Sequence, residues 1–123
     1  MEAMMKMKTS ELIDPALDWA VAEASGTPIY RSGRTLTRMD MDGNAYWQPT
    51  IDWAQAGPVI EREKISLEHL YGAGDAGEDV WVATRMEGPS FSEEQGPTAL
   101  VAAMRCYVAA CLGDEIEIPE ELQ

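Results

Sequence analysis

The sequence predicts an α+β fold, a small antiparallel sheet packed against two helices in a single domain. Three observations carry that expectation. Asp14 to Ala24 and Gly96 to Leu112 repeat apolar residues at helical spacing. ISLEHL and VWVATRM, by contrast, alternate and are rich in β-branched and aromatic residues. With 123 residues at 46% hydrophobic composition, the chain can build one real core but not two.

Taken in order, Met4 to Lys8 reads as a short strand with Met5 and Met7 on one face, followed by turn chemistry at Thr9 and Ser10. Asp14 and Pro15 read as an N-cap and first helical residue, and Gly26 closes that helix. Residues 26–45 lose all period and predict a long loop or a hairpin excursion turning at Asp42 and Gly43. Tyr46 to Pro58, YWQPTIDWAQAGP, has two prolines and Gly57, which predict an ordered loop. Two antiparallel strands joined by Tyr71 to Glu78 should follow, then a polar loop from Glu87 to Gln95. The apolar helix comes next, stopped by Gly113. Residues 114–123 predict a solvated acidic tail.

The 22 acidic residues against 9 basic give a net charge of -13. Such a surface repels phosphate backbones and anionic lipid, so neither nucleic acid nor membrane is an expected partner. Cys106 and Cys111 lie roughly 140° apart on one helix and cannot bridge each other there. Both are expected to be buried thiols of a reducing cytoplasm. MEAMMKMKTSEL lacks the apolar stretch of a signal peptide.

Little of the chain spells catalysis. Gly72, Gly74 and Gly77 match a dinucleotide fingerprint, but a strand follows them where a helix should open, so they predict a hairpin loop. His69 is the sole histidine, which excludes a histidine-rich metal site, and no serine lies in a nucleophile elbow. No catalytic residue, metal or cofactor is expected.

Two features point to binding. Arg105 is the single charge in the helix GPTALVAAMRCYVAACL, and a half-buried guanidinium must meet a carboxylate, carbonyls or an anionic ligand. Thr98 lies two turns earlier, at a helix N-terminus that favours anions. The alternative is an internal ion pair with Glu61, Glu63 or Asp52. The second feature is Tyr46, Trp47, Trp53 and Gln55, which offer flat faces and an amide to a ring, or else simply anchor the core.

Three blocks, MKMKTSELIDPALDWAVAEA, YWQPTIDWAQAGPVIEREKI and GPTALVAAMRCYVAACLGDEIEIP, resemble the NinX-like family of small phage and prophage proteins, to which no function is assigned. A glycine is more usual there at the position of Ala56. The resemblance implies a phage protein acting in the cytoplasm of an infected bacterium, a setting in which accessory proteins counter host defence. Some of these hold nucleotide signals without cleaving them. The expected function is therefore non-enzymatic: sequestration of a small anionic, nucleotide-derived ligand. Arg105, Thr98 and Arg62 would meet phosphate, Trp53, Trp47 and Gln55 the base. Tyr107 would add a hydroxyl at an oligomer interface, since the apolar last helix predicts a homo-oligomer. An acidic inhibitor of a basic host protein, such as a nuclease, is the second expectation, and a nucleotide hydrolase the third.

Overall fold

The computed structural model describes residues 2–39, 45–87 and 89–123, and within them the fold is α+β. Three helices accompany three small antiparallel sheets. Strand β1 (Met4–Lys8) pairs with β7 (Glu115–Pro119), β2 (Ile29–Ser32) with β3 (Thr35–Arg38), and β4 (Ser66–Leu70), β5 (Val80–Glu87) and β6 (Ser90–Gly96) form the third sheet in that order. The helices are α1 (Asp14–Ser25), α2 (Trp53–Glu63) and α3 (Ala99–Leu112).

Helix α3 is the spine. Eight of its fourteen residues are buried, among them Leu100, Met104, Cys106 and Val108. One side meets β5 and β6, while α1 and α2 cover others. Most of its apolar circumference is thus covered within the chain, while Ala110, Cys111 and Leu112 in its last turn stay exposed.

Several expectations are corrected. Tyr46 to Pro58 is not all loop: α2 begins at Trp53 and carries Gly57 and Pro58 inside it. Asp52 starts the helix by accepting the Ala54 N–H at 2.9 Å, and burial of Ala56 and Val59 offsets the one hydrogen bond a proline removes. The segment 26–45 holds the β2–β3 hairpin, turning at Gly33 and Arg34 with Gly33 at φ 62. That left-handed value suits glycine at the first position of a two-residue turn. The turn expected at Asp42 and Gly43 lies outside the described residues. Asp14 makes no capping hydrogen bond and itself takes φ 50.

Residues 87–95 were expected as a loop and instead supply β6, an edge strand. Its inward positions, Ser92, Glu94 and Gly96, are small or polar, so period-two hydrophobicity is missing. Residues 114–123 are not a solvated tail: β7 and the turn after it bury Ile118, Pro119 and Leu122, while the carboxylates face outward. Thr9 ties this segment down, its N–H and hydroxyl donating to the carbonyls of Asp114 and Gly113 at 2.8 and 2.7 Å. Cys106 is buried as expected, but Cys111 is exposed. Among the described residues no helix is long and apolar enough to cross a membrane.

Candidate functional site

The residues singled out in the sequence fall into three separate places. Arg105 leaves α3 halfway along and is met by carbonyls: Nε donates to the Leu12 carbonyl at 2.9 Å and NH1 to that of Gln95 at 2.7 Å. Burial lowers its pKa, and the charge of Glu94 partly restores it. Neither Glu61, Glu63 nor Asp52 pairs with it. Glu63 is taken by Arg62 and Arg85, each at 3.0 Å, and Asp52 by the α2 cap. Beside Arg105 opens a cavity of about 510 Å³ whose wall carries Glu78, Asp79, Glu93 and Glu94. An anion bound to this guanidinium would face four carboxylates, whose Coulomb repulsion outweighs one cation.

Thr98 caps α3, its Oγ1 accepting the Val101 N–H at 3.1 Å. The end of β6 lies directly on this first turn: a Cβ added to Gly96 would sit 2.6 Å from the Ala102 nitrogen. Strand therefore crowds the helix start where a phosphate was expected.

The second place is the aromatic loop. Trp47 is 3% exposed, and its indole N–H donates to the Asp18 carbonyl at 2.8 Å. Arg38 stacks over the indole at 5.3 Å. Gln55 spends both ends of its amide internally, accepting from the Gln48 N–H at 2.6 Å and donating to the Tyr46 carbonyl at 2.5 Å. Trp53 is exposed at the start of α2. So Trp47 anchors, Gln55 shapes the loop, and neither offers a free edge to a base.

The third place joins Arg62 to Tyr107. The guanidinium binds Glu63, lies 6.0 Å from the Tyr107 ring, and NH2 reaches the phenol oxygen at 3.5 Å. Burial raises the pKa of Tyr107.

What the loop does build is a cleft of about 310 Å³ between α1, β3 and residues 46–51. Its floor holds Asp18, which is 5% exposed and accepts the Thr50 N–H at 2.9 Å. Burial pushes this carboxyl up to about 7, against the pull of the Thr50 hydrogen bonds. Tyr46, Ile51 and Leu36 contribute apolar wall. At the lip, Arg34 is exposed, its NH1 held by the main-chain oxygens of Glu121 and Gln123 at 3.1 and 2.6 Å. Asp14, with its left-handed φ, forms part of the rim.

Asp18 and Arg34 were not singled out in the sequence. Asp18 had a readable signal, since it stands next to Leu17 and three residues before Val21, on the flank of the buried stripe of α1. Arg34 had none. It reaches the cleft only because the hairpin turns at Gly33. Among the described residues, no group of three or more His, Cys, Asp or Glu could hold a metal ion.

No curated protein matches the chain. Residues 8–110, from the end of β1 through nearly all of α3 and including the 26–45 segment, match the family model described as "Bacteriophage P22, NinX". The chain therefore belongs to the NinX family of phage proteins.

Proposed function

We propose that this phage protein acts by binding rather than catalysis, holding a small anionic, nucleotide-derived ligand in the cleft between α1, β3 and residues 46–51. A host-defence signal is the ligand class that the phage setting suggests, and capture without cleavage amounts to sequestration. The observation that carries the reading is the pairing, in one preformed cleft of about 310 Å³, of the Arg34 guanidinium with a buried carboxyl at Asp18. That volume is at the lower end of small-molecule sites, near 300 Å³. Arg34 can meet a phosphate in two-point geometry. Asp18, poised near neutrality, can donate as an acid or accept as a carboxylate from a base edge, and Tyr46 supplies a flat face.

Two further observations support this placement. The cleft wall balances Arg34 against Asp14 and a half-neutral Asp18, whereas the cavity at Arg105 is dominated by carboxylates. Asp14 also holds φ 50 beside a proline, a conformation that costs energy and that clusters at binding sites. The sole imidazole, His69, lies elsewhere, edge-on to Tyr71 and tilted against Trp81 on the third sheet.

Calorimetric titration of the purified protein with mononucleotides, cyclic nucleotides and ADP-ribose derivatives tests the reading. Saturable binding is expected for at least one of them, weakened about tenfold or more by Arg34→Gln, the scale of a lost charged hydrogen bond. No binding across the panel, or binding that ignores Arg34→Gln, overturns it.

A further inference from the structure

The β4–β5–β6 sheet has two faces of different fate. Side chains alternate along a strand, so Ala83, Ser92 and Gly96 look toward α3, where Ser92 bonds the Cys106 carbonyl at 3.2 Å. The other face carries Leu70 and Val82, half-buried, Val80, buried, and Met86 and Phe91, 68% and 62% exposed. An antiparallel sheet with one solvated face ordinarily makes that face polar. Here apolar side chains stand at both ends of it instead, Leu70, Val80 and Val82 at one and Met86 with Phe91 at the other, divided by the row Ser66, Thr84 and Glu93.

The polar residues between the apolar ones include Glu68 and Glu93 but no lysine or arginine. Val80 and Glu93 of this face also line the cavity walled by Glu78, Asp79 and Glu94. We propose that this face docks a basic amphipathic segment of a partner protein, its apolar side on these two apolar groups and its cations on the glutamates beside them and in the acidic cavity. This surface is distinct from the cleft and independent of it.

Charge and size select that occupant. Nucleic acid and anionic lipid would be repelled by the carboxylates, and a second copy of the chain would set Glu68 and Glu93 against the same residues. By strand dimensions the face measures roughly 25 Å by 14 Å. That is well short of the roughly 800 Å² per partner of a standard interface, but matches one helix laid across three strands. The opposite face already carries a helix in this way, α3.

The test titrates isotope-labelled protein with a short amphipathic helical peptide of leucine and lysine, following amide chemical shifts, with a scrambled peptide of the same composition alongside. Shifts confined to β4, β5 and β6 are expected. Phe91→Lys and Glu93→Lys should each weaken binding about tenfold, as for a central interface residue. Glu23→Lys and Glu120→Lys, on other exposed surfaces and equal in charge change to Glu93→Lys, should not. All four positions are exposed, so the variants should keep the fold. Equal affinity for the scrambled peptide, shifts spread over all carboxylates, or equal loss in the controls would reduce the effect to non-specific attraction and overturn the proposal. So would sedimentation showing a dimer of the unmodified chain that Phe91→Lys disperses.

Discussion

At the scale of single residues, Asp18 joins structure to solution conditions. It accepts the Thr50 N–H while its own main-chain carbonyl accepts the Trp47 indole, so one residue of α1 pins the aromatic loop at two points. Its folded pKa, about 7, lies above the ordinary 3.8, so folding favours the protonated form. That preference contributes fully below pH 3.8 and is lost as pH rises through about 7, a change on the order of a few kcal/mol. Asp18→Asn keeps an acceptor for Thr50 but carries no charge to desolvate. Thermal melts should find the variant more stable than the parent at pH 8, with the gap narrowing toward pH 5. A pH-independent gap would show that Asp18 does not titrate there. Arg105 shows what a sequence withholds at this scale: its need for a partner was readable, but its choice of the Leu12 and Gln95 carbonyls depends on where two distant segments arrive.

At the scale of elements, legibility followed hydrophobic period. β1, α1, β4, β5 and α3 could be read because each repeats apolar residues at a strand or helix spacing over its length. The elements that were missed either lack that repeat or disguise it, for identifiable reasons. α2 carries Gly57 and Pro58 internally, β6 puts Ser92, Glu94 and Gly96 inward, and β7 hides Ile116 and Ile118 among glutamates. In β7 the alternation was present, but acidic neighbours made it look like a tail. The candidate site was less legible than the fold, because its parts come from α1, a hairpin turn and a loop that only tertiary structure brings together. The β7 assignment gives a sharp expectation. Ile118 is fully buried and pairs with Met5, so Ile118→Ala should cost about 2 to 5 kcal/mol in urea unfolding. A solvated tail would cost nothing.

At the scale of the whole molecule, a net charge of -13 on 123 residues sets carboxylates against one another across a small surface. Most of the cations are committed locally. Arg31 binds Glu2 and Glu121, and Arg85 binds Glu63 and Glu87. The remaining repulsion acts over distances beyond the roughly 8 Å screening length of physiological salt, so salt of that strength largely removes it. Raising sodium chloride from low concentration to that range should therefore raise the melting temperature, the reverse of a fold held by exposed ion pairs. A flat or falling trend would mean that local pairs outweigh the net field.

The β1–β7 ladder has a further consequence for the chain as it is made. Thr9 and Gly113 are 104 positions apart, yet they are hydrogen-bonded where the ladder begins. On the ribosome, Met4, Met5 and Met7 emerge before the strand that receives them, and must wait until residue 119 has cleared the exit tunnel. While the residues between β1 and β7 are being made, nascent molecules would hold that methionine strand unclaimed, open to chaperones and proteases, and a product truncated before β7 would never close it.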